Sequence, residues 1–356
     1  MFRYDPSKEP DGDDGGDLVT TYLINPEFKR PGTKRRVPYP PLPGDKPRPF
    51  SSKYVGAYSC HGQVDVGKYK DNQDRGVVAH PFAASGPFKQ CLFIVCDGHG
   101  EYGHKVSDYV VKLLVDTLQN HEKLRAEPLA ALRDSYKQVD AALEKTRIDS
   151  YTSGTTCVSA IYRLEGAEHV LYTANVGDSR AVVGKRAETD AKGDASKVSA
   201  HDLTIDQKPD DEKECERITK AGGFVSCPPW SASARVWLDA ECQWPGLAMA
   251  RSIGDHCVKE IGVTAEPECA RYVIVPDDHV MILASDGVWE FLESQDALDI
   301  VMAALQKHAG EPDLAERASQ ELIKCAMRQW KIHEQGYRDD ITATVVLLDV
   351  FRQAAP

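Results

Sequence analysis

Five aspartates stand where an apolar run meets a polar turn. Asp97 follows "CLFIVC", Asp286 follows "HVMILAS" and Asp178 follows "HVLYTANVG"; Asp74 precedes "RGVVAH", and Asp339 lies just ahead of "ITATVVLL". If those runs are neighbouring strands, the carboxylates converge at one end of a sheet. Clustered buried carboxylates repel one another and lose hydration, and divalent cations are the usual remedy. Oxygen donors without His or Cys select hard ions such as Mg²⁺ or Mn²⁺. Two such ions about 3.5–4 Å apart can share a water, lower its pKa and clamp a phosphoryl group. Gly98 lets the backbone come close, so its carbonyl can join the ligands. His99 then sits beside the ions, suited to giving a proton to a leaving alkoxide. One Asp-Gly alone is a turn. Five strand-end aspartates, two of them in Asp-Gly, plus a histidine form a candidate site.

The same stretch, "CDGHGEYG", carries Gly98, Gly100 and Gly103 in a G-x-G-x-x-G pattern. A dinucleotide fold needs a second parallel strand soon after the glycine-rich helix, ending in an acidic residue for the ribose. No strand-like run appears until about Thr155, and the acidic candidate Asp116 lies inside a helix. The pattern lacks its frame, and an oxidoreductase is disfavoured.

The elements that must position these residues are legible in outline. Val106, Tyr109, Val110, Leu113, Leu114 and Thr117 keep helical spacing. Further helices are expected over about Leu129 to Arg147, Gln295 to His308 and Asp313 to Trp330. A shorter one should start at Pro209 and end at Gly222-Gly223. Short β-rich runs separated by Gly, Asp and Asn turns signal antiparallel pairing. Together they suggest sheets covered by helices rather than a strict β-α-β alternation.

The chain has 356 residues, 42% hydrophobic and 28% charged, an ordinary globular composition. Its net charge of −12 argues against nucleic-acid binding. No apolar stretch suits membrane insertion, and the first residues lack a signal-peptide core, so a cytoplasmic or nuclear location is expected. Ten scattered cysteines without a C-x-x-C pair argue against zinc and disulfides. Residues 1–50, rich in Pro, Gly and charge, read as a flexible tail. Within it "DGDDGGD" fails as a calcium loop, and "KRPGTKRR" reads as a solvated basic stretch, a nuclear signal or a docking patch.

The ordered motifs resemble the metal-dependent type 2C protein serine/threonine phosphatases. They are "NQD" (Asn72 to Asp74), "VCDGHG", "SGTT", "ANVGDSRAV", "LTIDQKPDDEKECERITKAGG", "GLAMARSIGD", "ASDGVWE" and "RDDIT". "ARVW" followed by "PGLAMARSIGD" is most like plant, algal and protist members. The resemblance implies an α+β fold, a four-layer α/β/β/α sandwich of two antiparallel sheets flanked by helix pairs. It places a single catalytic domain over 51–352, with a flap at about 223–246. It implies hydrolysis of phosphoserine and phosphothreonine in proteins by a hydroxide bridging two Mn²⁺ or Mg²⁺ ions, with a weaker third ion.

Carried over residue by residue, Asp97 matches the bridging carboxylate, and Gly98 the carbonyl ligand. Asp74, Asp286 and Asp339 match further metal ligands. Asp178 and Glu290 resemble the acidic residues of the third site, and His99 matches the general acid. The family's phosphate-binding basic residue precedes the first metal aspartate, and here Lys68 or Lys70 is the candidate. Asp340 departs from the pattern, standing where the family usually has asparagine. In the flap, Trp237 is expected to pack inward, while Trp230 and Trp244 are open to packing or to a partner surface. The expected partners are phosphorylated proteins, and a monomer is expected. The competing reading is a phosphoprotein-binding pseudophosphatase of the same fold, which should lack a ligand; none is missing.

Overall fold

The computed structural model describes residues 20–24, 50–65, 68–83, 89–186, 198–229, 231, 233–334 and 336–353. Along the chain come β1 (Thr20–Ile24), β2 (Val55–Cys60), the hairpin β3 (Gln63–Asp65) and β4 (Lys68–Tyr69), β5 (Arg75–His80), β6 (Gln90–Cys96) and β7 (Gly98–His99). Helices α1 (Gly103–Gln119) and α2 (Pro128–Leu143) follow, then β8 (Gly154–Thr155), β9 (Cys157–Glu165), β10 (Glu168–Val176), β11 (Arg180–Arg186) and β12 (Val198–Asp202). Next are α3 (Glu212–Lys220), β13 (Phe224–Ser226), β14 (Arg235–Trp237), β15 (Pro245–Leu247) and β16 (Ile253–Gly254). The chain closes with β17 (Glu268–Ile274), β18 (Asp278–Ala284), α4 (Asp286–Trp289), α5 (Ser294–Lys307), α6 (Leu314–His333), β19 (Ile341–Leu347) and α7 (Asp349–Gln353).

Two sheets dominate. One has six strands in the order β1-β5-β6-β9-β10-β17, the other five in the order β12-β11-β18-β19-β2. Their pairings are antiparallel, as the turn signals implied. Strand β6 shows why its sequence is apolar without alternation. Leu92, Ile94 and Cys96 pack with Val106, Val110 and Leu114 of α1. Cys91, Phe93 and Val95 point the other way, into a cluster with Ala181, Val183, Met281 and Leu283 of the five-stranded sheet. A strand buried on both faces needs apolar residues at every position. Burying each Leu, Ile or Phe side chain in full contributes about 1.5–3 kcal/mol. On the far side of the second sheet, Val280, Ile282 and Val345 pack with Leu298 and Val301 of α5 and Leu322 of α6.

The four long helices fall where the apolar spacing puts them. The short helix α3 differs. It begins after Asp211, whose carboxylate accepts N–H bonds from Lys213 and Glu214, so an aspartate cap and not Pro209 sets its start. Strand β1 falls within residues 1–50, expected as a tail, and pairs with β5. The acidic run "DGDDGGD" and the basic "KRPGTKRR" lie outside the described residues. The segment expected as a flap carries a small sheet of β13, β14 and β15.

Candidate metal centre

Asp97 is the residue immediately after β6. Its backbone is fixed from the β8–β9 segment: Asp97 N donates to Thr156 Oγ1 at 3.0 Å, and its carbonyl accepts from Thr156 N and Thr155 Oγ1, both at 2.9 Å. Gly98 follows because nothing larger fits. A Cβ there would stand 2.4 Å from the carbonyl oxygen of Gly103 and 2.8 Å from that of Gln73. Asp74, at the start of β5, is fully buried and accepts a bond from Ser285 Oγ at 2.8 Å. The same serine oxygen accepts Thr342 N at 3.0 Å. One hydroxyl therefore ties Asp74 of the six-stranded sheet to β19 of the five-stranded sheet. Asp286 opens the single-turn helix α4 just beyond β18.

The structure brings Asp74, Asp97, Asp286 and Asp339 close enough to perturb one another. Burial, then the charges of Asp74, Asp286 and Asp339, push the Asp97 carboxyl well above its ordinary range. Burial, then Asp178 and Asp339, do the same to Asp286. Asp74 is raised by burial, with Asp339 adding to the shift while hydrogen bonds from Thr342 and Ser285 oppose it. Asp74 Oδ1, Asp178 Oδ1 and Asp286 Oδ1 are buried with no hydrogen-bond partner. An orphaned buried carboxylate oxygen is costly, and three of them beside mutually repelling acids fit hard divalent cations. Among the described residues no group of three or more His, Cys, Asp or Glu side chains is disposed, as they stand, to hold a metal ion. The fit thus rests on the donor set and its orphaned oxygens.

Two lysines meet this acidic group. Lys70 Nζ donates to Asp339 Oδ1 and lies 3.4 Å from Asp340 Oδ2. Burial works against its charge, but Asp339 and Asp340 outweigh burial and raise its pKa. Lys68 is exposed and lies 3.9 Å from Asp65, away from the cluster. Of the two candidates, Lys70 is the one at the site. Lys208, inside the motif "LTIDQKPDDEKECERITKAGG" but not expected as a site residue, places Nζ 2.5 Å from Asp178 Oδ2. Its pKa is likewise raised against burial, by Asp178 and Asp286. Its signal in sequence is a lone base in the acidic run "IDQKPDDE". Glu290 is exposed at the end of α4, where its N–H donates to Asp286 O at 2.8 Å.

Asp340 has a structural task. It is 1% exposed, and its carboxylate accepts Gly62 N and, at 2.8 Å, Gln73 N. Burial raises its pKa to about 7, with Lys70 opposing and Asp74 adding to the shift.

His99 ends the two-residue strand β7 and is paired with Gly154. Its Nε2 lies 2.7 Å from Asp255 Oδ2. Burial disfavours the imidazolium, but Asp255 outweighs it, Asp178 adds to the effect, and the pKa is raised. A protonated histidine beside an acidic cluster is equipped to donate a proton.

In the flap, Trp237 is 2% exposed, as expected for packing. Trp244 is exposed and stacks on Tyr151, ring centroids 6.3 Å apart. Trp230 lies outside the described residues. Among the described residues all ten cysteines are free, and Cys96 is strand core. No described helix is long and apolar enough to cross a membrane.

Comparison with known proteins identifies the family. The sequence matches the family described as Protein phosphatase 2C over residues 51–333. It is 35% identical over 321 residues to the Arabidopsis thaliana protein named probable protein phosphatase 2C 73, covering 83% of this chain and 79% of that one. Probable protein phosphatase 2C 35 of the same plant is 30% identical over 363 residues, covering 97% and 95%. Among solved structures, a serine-threonine phosphatase 2C from Toxoplasma gondii superposes with a TM-score of 0.68 at 23% identity, covering 93% of this chain and 99% of that one. A C. elegans sex determining protein gives 0.65 at 21% identity, covering 85% and 67%. At such identities the structural likeness speaks for the fold.

Proposed function

The chain belongs to the protein phosphatase 2C family, and from that premise we propose how this serine/threonine protein phosphatase is built to work. The observation that carries the proposal is the group of fully buried Asp74 with half-buried Asp97 and Asp286, all three carboxyl pKa values raised, and with the buried oxygens Asp74 Oδ1 and Asp286 Oδ1 left without partners. We read Asp74, Asp97, Gly98, Asp286 and Asp339 as the residues that would hold two Mn²⁺ or Mg²⁺ ions. Asp178 would serve a weaker third ion, with Glu290 at its edge. When bound, such ions supply Lewis acidity, activating water and neutralising phosphoryl oxygens.

The chain's own residues do the rest. Lys70, held at Asp339 and Asp340, offers a fixed positive charge to the phosphate, as a point charge rather than a bidentate fork. His99 holds a proton for the departing seryl or threonyl oxygen. Ser285 and Thr342 lock Asp74 in place, and the Gly98 backbone is kept bare for close approach. We also read the three core clusters as the interfaces of four layers: α1–α2, six-stranded sheet, five-stranded sheet, α5–α6. Residues 51–352 form the catalytic domain in this reading.

The test is hydrolysis of a phosphothreonine peptide with Mn²⁺, with EDTA, and by Asp286→Asn. Turnover that needs the ion and disappears with the substitution is expected. Full activity in EDTA, or in the folded Asp286→Asn protein, would refute the assignment.

A further inference from the structure

Behind His99 stands a carboxylate that the sequence motifs left without a task. Asp255 is 3% exposed and sits at φ 51°, ψ 45°, in the left-handed region. That conformation is unfavourable for a residue with a side chain, so the surroundings must hold it. They do. Asp255 N donates to Ser153 O at 3.0 Å, and Gly254 N donates to Asp140 Oδ1 at 2.8 Å. Lys259 Nζ donates to Ser252 O at 2.5 Å and lies 3.5 Å from Asp140 Oδ1. The loop is thereby pinned on both sides of Asp255.

The contact itself is bespoke. Asp255 Oδ2 meets His99 Nε2 at 2.7 Å, while His99 Nδ1 is buried with no hydrogen-bond partner. Gly154, the cross-strand partner of His99, makes room for both groups. A Cβ at 154 would lie 2.0 Å from Asp255 Oδ2 and 2.7 Å from His99 Nε2.

We propose that Asp255 is a positioning residue for the dephosphorylation. It accepts the bond from His99 Nε2–H and fixes the ring whose imidazolium gives its proton to the departing oxygen. The inference rests on His99 acting as general acid. In the step, a water oxygen forms a bond to phosphorus while the bond from phosphorus to the side-chain oxygen breaks. The bonding pair stays on that oxygen, and a proton from the His99 imidazolium converts it to the hydroxyl. The imidazole is reprotonated by the proton that the attacking water loses. One water is consumed, and the products are the free serine or threonine and hydrogen phosphate.

The experiment compares a phosphothreonine peptide, whose alkoxide needs a proton, with p-nitrophenyl phosphate, whose phenolate does not. The full-length chain is used, as wild type, Asp255→Asn, His99→Ala and the double variant. For Asp255→Asn, kcat on the peptide should fall by about 10–100-fold with KM nearly unchanged, and kcat on the aryl ester by less than about 3-fold. Mn²⁺-induced thermal stabilisation should be retained. In the His99→Ala background the Asp255→Asn change should have no further effect on the peptide-to-aryl ratio.

Equal losses on both substrates, or full additivity in the double variant, would overturn the positioning role. If His99→Ala itself affects both substrates alike, the acid reading fails and the proposal falls with it. If His99→Ala discriminates and Asp255→Asn does not, only the role of Asp255 fails. Gly154→Ala disturbs the same contact from the opposite strand. It should reproduce the split even where Asp255→Asn does not fold, and a uniform loss from it counts against the proposal.

Discussion

Lys70 Nζ lies 3.4 Å from Asp340 Oδ2, and this pair reconciles an acid with a place where the family usually has an amide. The extra carboxylate brings its own counter-ion. It also takes two backbone donors, Gly62 N and Gln73 N, that bracket the β3–β4 hairpin and Lys70 just after it.

Lys70→Met should therefore lower kcat/KM on a phosphothreonine peptide by about 100-fold, in the range seen when one preorganised charge-stabilising donor is removed. Lys68→Met, at an exposed residue paired only loosely with Asp65, should stay within about 2-fold of wild type, as expected for a surface ion pair of little worth. Steady-state kinetics on both variants decide it. A larger loss from Lys68→Met would place the phosphate-binding lysine there instead.

Asp340→Asn should change how stability depends on pH in EDTA. The Asp340 pKa is raised from 3.8 to about 7 on folding, so the native state binds the extra proton between those values. Stability from this group is present at low pH and is lost as pH rises through about 7. Asparagine lacks that loss but can accept only one of the two backbone N–H bonds, leaving a buried donor at a cost of about 1–3 kcal/mol. Urea unfolding should show the variant weaker than wild type at pH 5, with the gap narrowing by pH 8. A gap independent of pH would contradict this.

Mn²⁺ should raise the melting temperature of the wild-type chain, and the rise should grow with ion concentration as a native-state ligand requires. Asp286→Asn should blunt that response while melting higher than wild type in EDTA, because it removes one charge from a repelling group. Calorimetry with and without the ion measures both. A variant that melts lower in EDTA would mean Asp286 is stabilising without a metal.

Glu214 gives a prediction remote from the chemistry. It is 3% exposed and grips Arg251, with Arg217 Nη1 at 2.7 Å from its other oxygen. Burial opposes its charge, but the two guanidinium groups win and hold its pKa below the ordinary 4.5. Its stabilisation is present above that value and disappears as pH falls through the folded pKa. Glu214→Gln should cost about 3–5 kcal/mol at neutral pH, as expected for a broken buried ion pair. The difference from wild type should shrink below pH 4 in denaturant titrations.

The chemistry of Asp97 and Asp286 was legible because each ends a long apolar run. A carboxylate carried to the edge of a core must find a cation, a proton or hydrogen-bond donors there. Their convergence was not legible, since spacing along a chain does not order strands in a sheet. Asp340 was visible only as a departure from a pattern, because its backbone donors lie 278 and 267 residues away in sequence. Asp255 was hidden for a different reason. Its meaning comes from a left-handed backbone and a missing side chain at Gly154, neither of which has a local signal. Helix α4 was too short for periodicity to register, and "TTYLI" of β1 was too brief to stand out from its polar neighbours.

The hydroxyl of Ser285 has one more consequence. Asp74 and Asp97 are carried by strands of one sheet, while Asp286 and Asp339 flank strands of the other. Without cations, their repulsion works as a wedge between the sheets, opposed at that end by the Ser285 hydroxyl together with the Gln73–Asp340 and Asn72–Ser59 bonds, which act as rivets. Divalent ions would turn the wedge into a clasp, making ion uptake and closure of the molecule's seam one equilibrium. Amide exchange at Val95 and Ala343, on opposite sides of that seam, should slow together as Mn²⁺ is added, and slowing on one side alone would separate the two events.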